Sequence, residues 1–348
     1  MKAKHVIIYL LLVIVTSSCI RDEAPNAEAD ILSCRLPGIT MTTSPIINNN
    51  SVTLFVTPGT NISALAPEFT LTSGATITPA SGTERNFNSP QEYQVTAADG
   101  IWKKTYAISV IDTELATIYN FEDTISGKKY YIFVERENDK VIMEWASGNA
   151  GYAMTGVAKT ADDYPTFQIA NGKNGKCLSL VTRSTGFFGG LVGMPIAAGN
   201  LFIGSFDVNN AMSNPLQATK FGLPFRHVPT YLAGYYKYKA GDQFTEGGKP
   251  VEGKRDICDI YAIMYETSVS VPTLDGTNAF TSPNLVSMAR IKDAKETDEW
   301  TYFKLPFTTL PGKFIDKEKL TMGKYNISIV LHPVWKETTS TELSEAPY

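Results

Sequence analysis

From about residue 35 to residue 112, apolar and polar residues alternate in short runs broken by Gly, Pro, Asn and Asp. In "SVTLFVTPG" the alternation puts Val52, Leu54 and Val56 on one face, because successive strand side chains point to opposite sides. In "EYQVTAADGIWKKTYAISVI" Tyr93, Val95 and Ala97 run into an Asp99-Gly100 turn, and Tyr106, Ile108 and Val110 run out, which predicts a hairpin. Short strands with this punctuation predict a β-sandwich. After the connecting "IDTELATIYNFED", residues 113–348 again read as strand after strand, among them "KVIMEWASG", "NLFIGSFDV", "YLAGYYKYKAGD", "DICDIYAIMYE" and "KYNISIVLHP". Only "AMSNPLQATKFG" and "DKEKL" hold a helical turn. Long strands with Gly/Pro loops predict an antiparallel jelly roll. The fold class is therefore all-β, with one sandwich over 35–112 and a larger one over 113–348. A chain of 348 residues also exceeds the ~250–300 residues at which single cores stop growing.

The first residues follow a different pattern. Lys2 and Lys4 precede the ten-residue apolar run Val6 to Val15, which is too short to cross ~30 Å of hydrocarbon as a helix. This is the layout of a secretory signal over residues 1–18. Ser17 and Ser18 lead into Cys19, an arrangement that resembles a bacterial lipobox, although Thr16 stands where Leu, Val or Ile is usual. The resemblance implies lipidation at Cys19. Asp22, Glu23, Glu28 and Asp30 then lie in a Pro-containing stretch of little apolar content, so residues 19–34 are expected to be a solvated acidic tether. Acids just after such a cysteine resemble a surface-export signal, which implies the outer face of an outer membrane, with the lipid as anchor.

Removing residues 1–18 takes Lys2 and Lys4 from a formal net charge of −4 and leaves −6. That balance offers no basic footprint for nucleic acid and no polybasic patch for anionic lipid. Beyond Cys19 stand Cys34, Cys177 and Cys258. No CxxC spacing exists for zinc. Cys177 and Cys258 lie in apolar runs and read as buried thiols, with a Cys177–Cys258 disulfide as the alternative.

Longer strings in the chain resemble known families. "VTPGTNISALAPEFTLTSGATITPASGT" and "YQVTAADGIWKKTY" resemble the Ig-like modules that precede working domains in surface lipoproteins, where the module is mostly a spacer. "WASGNAGYAMTG", "GGLVGMPIAAGNLFIGSFDVNNAMSNPLQATKFGLPF", "LAGYYKYKAGDQF", "CDIYAIMYE" and "LDGTNAFTSPNLVSMARI" resemble the putative carbohydrate metabolism domain of surface lipoproteins, over roughly residues 118 to 332. This resemblance implies a galactose-binding-like jelly roll and a glycan partner. Family members continue after "NISIVL" into a Gly-rich turn and a closing acidic strand, whereas here "HPVWKETTSTELSEAPY" reads polar. Carbohydrate-binding jelly rolls often hold a structural calcium through an early acid, which in "NFED" would be Glu122.

No catalytic motif stands out. There is no G-x-S-x-G elbow and no H-E-x-x-H, and "GFFGGLVG" reads as a tight loop. A glycosidase needs two carboxylates at a set separation. Glu144, Asp207, Asp242, Asp256, Asp259, Glu266 and Asp298 are candidates that sequence spacing does not pair. The aromatic residues are more informative. In "LAGYYKYKAGD" the lysines mark the face of Tyr235, Lys237 and Lys239 as solvated, which sends Tyr236 and Tyr238 to the core. In "CDIYAIMYE", Cys258, Ile260, Ala262 and Met264 look inward and leave Asp259, Tyr261 and Tyr265 on the opposite face. "EWASGNAG" adds Trp145 and Asn149 on a loop. The expected site is thus an open face with Tyr235, Lys237, Asp259, Tyr261 and Tyr265, rimmed by Trp145 and Asn149. There sugar rings stack on tyrosines and hydroxyls take fixed hydrogen bonds. A glycan-cleaving enzyme and a structural adhesin are the rival readings.

Overall fold

A computed structural model describes residues 26–246 and 249–333. The signal run, Cys19 and the polar end from Val334 lie outside the described residues. The chain is mostly β, with several antiparallel sheets: a small sheet region at the N-terminal side and a larger sheet at the C-terminal side.

In the first region the strands Ile46–Ile47, Ser51–Phe55, Lys103–Ile111, Gln91–Thr96 and Thr76–Thr78 form one sheet in that order. The hairpin read from the alternation is present, with Tyr93 opposite Tyr106. Asp99 caps its turn by accepting from the backbone N–H groups of Ile101 and Trp102, and Gly100 supplies the left-handed φ of +70° that the turn requires. Val52, Leu54, Val56, Tyr93, Val95, Ala97, Tyr106, Ile108 and Val110 are all buried in one cluster. The second layer is the pair Ile31–Arg35 and Glu68–Leu71. Residues 31–34, expected as the end of a solvated tether over 19–34, belong instead to this layer. Ile31 and Cys34 are buried in the same cluster, because apolar residues three apart on a bulged strand both reach the core.

Asp30 fixes the start of that strand. Its carboxylate accepts from Lys104 Nζ at 2.5 Å and from Tyr106 Oη at 2.9 Å. The hydrogen bond from Lys104, followed by the one from Tyr106, outweighs burial and holds Asp30 below the ordinary carboxylate range. A depressed folded pKa stabilises above the unfolded pKa and is lost as pH falls through the folded value. Asp30→Asn is therefore expected to narrow the gap in urea midpoint between pH 7 and pH 3. An unchanged gap would show that Asp30 carries none of the acid sensitivity.

The larger sheet runs Thr308–Thr309, Leu285–Arg290, Asp259–Glu266, Tyr325–His332, Leu201–Phe206, Lys140–Ala146 and Val134–Glu137, with Thr219–Phe221 and Leu223–Pro224 joined to its middle. Both faces are covered. Phe202, Tyr261, Ile263, Tyr265, Leu285 and Val330 pack together. Residues of the other parity, Leu201 and Ile203, pack with Phe133, Met143, Trp145 and Leu223, while Met264, Val286, Leu320 and Tyr325 form a further group. Phe55 and Ile111 of the first region join the Trp145 cluster, and Lys140 Nζ reaches Asp112 at 2.8 Å. The two regions thus meet through packed apolar contact.

A two-stranded ribbon stands apart from this sheet. Tyr231–Tyr238 pairs antiparallel with Thr297–Pro306. Tyr236 and Tyr238 pack with Ala240, Cys258 and Ala294 on one side. A Cβ at Gly234 would come 3.0 Å from the Phe303 ring, so glycine leaves room for the tip of that ring.

Candidate functional site

The open side of the ribbon is an aromatic strip. Tyr235 is opposite Tyr302 in the register, and the two rings are tilted with centroids 5.3 Å apart. They are 48% and 54% exposed, and Tyr231 is 55% exposed, an arrangement that marks a surface left for contact rather than a core. Lys304 is opposite Ala233 and its Nζ lies 4.0 Å from the Tyr231 ring centroid. Lys237 Nζ lies 5.5 Å from the centroid of the half-buried Trp300. Lys173, from the loop between the paired strands Thr166–Ile169 and Cys177–Leu180, places Nζ 4.3 Å from the Tyr235 centroid. At ~3.3 Å per residue, Tyr231 to Lys237 spans about 20 Å.

Of the seven residues expected at the site, the structure brings Tyr235 and Lys237 to this open face and places the other five elsewhere. Asp259, Tyr261 and Tyr265 do not share an open face. Their strand is buried along nearly its whole length and belongs to the larger sheet, not to the ribbon. Tyr261 packs at 4.9 Å from Phe280. Tyr265 donates to the Phe221 carbonyl at 2.5 Å and accepts from Asn326 Nδ2 at 3.1 Å. Asp259 accepts two hydrogen bonds from Arg290, at 3.0 and 2.8 Å. Trp145 is not on a loop. It is 4% exposed on the strand Lys140–Ala146 and donates Nε1–H to Glu135 at 2.8 Å. Asn149 is 1% exposed and exchanges two hydrogen bonds with the backbone of Thr166; it ties two segments together and offers a ligand nothing.

The strip's other half was present in "TDEWTYFKLPF". Lys304 flags the solvated parity there, as the lysines do in "YYKYK", and so assigns Trp300 and Tyr302 to the open face. Tyr231 shares the parity of Tyr235. Lys173 comes from a loop distant in sequence, and no periodic signal leads to it.

Glu122, the residue expected to hold a calcium, is occupied by a backbone contact. Its carboxylate accepts from the Lys176 backbone N–H at 2.9 Å. Among the described residues no three His, Cys, Asp or Glu side chains gather in one place. Cys34, Cys177 and Cys258 are free thiols, which removes the Cys177–Cys258 disulfide. Burial pushes Cys34 up to about 12 and Cys258 up to about 11, so neither is a ready nucleophile. The carboxylates are dispersed. Glu266 pairs with Lys319 at 2.6 Å, and Asp207 caps a turn through Asn209 N–H and Asn210 Nδ2. Glu144 reaches solvent, yet the bulk around it raises its proton affinity against the pull of Lys128.

Two family models match different parts of the chain. Residues 31–110 match the family described as "SGBP, N-terminal". Among solved structures, a putative glycoside hydrolase from Bacteroides thetaiotaomicron is 84% identical with a TM-score of 0.86, covering 90% of this chain and 92% of that one. A putative glycoside hydrolase from Bacteroides vulgatus is 48% identical with a TM-score of 0.58, covering 62% of this chain and 87% of that one. No curated protein matches. Residues 120–334 match the family described as "Putative carbohydrate metabolism domain", and the chain belongs to that family.

Proposed function

We propose that the mature protein is a lipid-anchored surface protein of the outer membrane that holds glycan on the aromatic strip of the ribbon. In this reading residues 31–110 are an Ig-like spacer. The following domain, from about residue 113, is a galactose-binding-like jelly roll that presents the strip. The observation that carries the proposal is the exposed Tyr235–Tyr302 pair, set on paired strands whose opposite side is anchored by Tyr236 and Tyr238. A sugar's CH face stacks on such rings, and the pair is already ordered, so little side-chain entropy is lost on binding. The family match and the surface-glycan character of the N-terminal match support a carbohydrate partner.

The test is a glycan array with the wild-type protein, followed by affinity measurements on Tyr235→Ala and Tyr302→Ala. Each change is expected to weaken binding by about 1–3 kcal/mol, the loss typical of an interface anchor, with no change in fold. Full-strength binding by both variants would remove the strip from the site. For the anchor, Cys19→Ser is expected to move the protein from the detergent phase to the aqueous phase, since stable attachment depends on acyl chains. Continued partition into detergent would refute the lipoprotein reading.

Hydrolysis is the second reading. It is favoured by the glycoside hydrolase naming of the two similar structures and by the raised proton affinity of the solvent-reaching Glu144, a property of a general acid. Its nearest acidic neighbour across the hairpin does not complete a pair. Val134 is opposite Glu144 and Glu135 is opposite Met143, so the two carboxylates leave opposite faces. Release of reducing sugar from a bound glycan would promote this reading over simple capture.

A further inference from the structure

The strip is basic as well as aromatic. Lys173, Lys237 and Lys304 each hold an ammonium group over one of its rings. Among the described residues none of the three has a carboxylate within ion-pair distance, while Lys104, Lys140, Lys319 and Arg255 are each neutralised by an acid. The acids of the ribbon, Asp298 and Glu299, are exposed at its Tyr238 end, which Lys237 shares, and lie about 16–20 Å along the strand from Lys304 at ~3.3 Å per residue. In a chain of net charge −4, this face gathers unneutralised cations on the rings that the glycan reading assigns to sugar.

We propose that the glycan taken by this face is anionic, bearing carboxylate or sulfate groups along its chain. The inference rests on the proposed function of the strip and specifies its ligand. An ammonium resting on an exposed ring is weakly held. A charge-assisted hydrogen bond to a carboxylate or sulfate oxygen is stronger. As a sugar ring settles on Tyr235 or Tyr231, Lys173 and Lys304 swing off the ring faces onto the acid groups of the same or the adjoining residue. The rings are thereby uncovered for stacking and the cations gain partners in one step. A neutral glycan would displace the same lysines without returning anything to them, so the face discriminates by charge.

The test uses the full mature chain with four probes: a neutral xylan, polygalacturonate, chondroitin sulfate and single-stranded DNA. Raising salt from 0.01 M to 0.15 M shortens the screening length from ~30 Å to ~8 Å. The expected result is binding to polygalacturonate or chondroitin sulfate that weakens at least about tenfold over that salt range. Binding of polygalacturonate shows that carboxylate alone suffices, since chondroitin sulfate carries carboxylate and sulfate together. The double variant Lys173→Gln/Lys304→Gln is expected to lose at least about tenfold in affinity for the anionic chain with an unchanged melting temperature. Xylan bound as tightly as the anionic chains, without salt dependence, would overturn the inference and leave the glycan face standing. Binding of neither neutral nor anionic glycan would overturn the glycan reading itself. DNA bound as tightly as the acidic glycans would show a general polyanion surface and also overturn the inference.

Discussion

Tyr265→Ala is expected to cost about 3–5 kcal/mol of stability, the loss typical when a buried aromatic is truncated, whereas Tyr235→Ala should cost under about 1 kcal/mol as a surface change. The contrast follows from where two tyrosines of similar strand context end up. Tyr265 is fully buried among Phe202, Ile263, Leu285 and Val330. Its hydroxyl is the shared partner of the Phe221 carbonyl and the Asn326 amide. A Cβ at Gly222 would stand 2.6 Å from that hydroxyl, so the chain passes this ring at a distance only glycine allows. Truncation thus removes packing and also leaves buried polar groups without a partner, and the second effect alone costs about 1–3 kcal/mol. Tyr265→Phe isolates that second part. Urea unfolding of the three variants orders them Tyr265→Ala, Tyr265→Phe, Tyr235→Ala from most to least destabilised. A Tyr235→Ala loss as large as that of Tyr265→Ala would return Tyr235 to the core and dissolve the proposed glycan face.

The same two tyrosines show what strand parity can and cannot reveal. In the ribbon, parity read correctly because one side is solvated and its lysines say so: Tyr235 and Lys237 are out, Tyr236 and Tyr238 are in. In "DIYAIMYE" the same reasoning failed. That strand lies between two hydrogen-bonded neighbours with clusters on both faces. A strand covered on both faces is apolar along its whole length, and the near-continuous run Ile260 to Tyr265 carried that signal. Tyrosine fits both a core, where its hydroxyl finds a partner, and an open face, so its presence does not separate the two. Trp145 and Asn149 were misplaced for a different reason. The strand continues to Ala146, and the Asn149 amide satisfies a backbone segment seventeen residues away, a partner no local pattern shows.

The second large loss is expected at Asp259, and its size depends on what is left behind. The side chain of Asp259 is 6% exposed and that of Arg290 is 24% exposed, with the fork of Arg290 closed on both carboxylate oxygens. Burial raises the proton affinity of Asp259 above the ordinary range, and the hydrogen bonds from Arg290 only partly oppose it. The pair therefore recovers its desolvation cost incompletely, as buried ion pairs commonly do. Removing one member is worse than keeping both. Asp259→Ala takes the buried carboxylate away from a guanidinium that lies 4.4 Å from the Phe280 centroid, for an expected loss of about 3 kcal/mol, the lower end of the range for a broken buried pair because Arg290 retains some access to water. Asp259→Leu combined with Arg290→Met removes both charges and keeps the volume, and it is expected to cost less than Asp259→Ala alone. The pH dependence gives an independent check. A carboxylate whose folded pKa is raised contributes most below its unfolded pKa and loses that contribution as pH rises through the folded value. This slope is opposite in sign to that of Asp30, and Asp259→Ala should erase it. A double variant less stable than Asp259→Ala would show that the charges themselves stabilise this part of the sheet, against the balance drawn from burial.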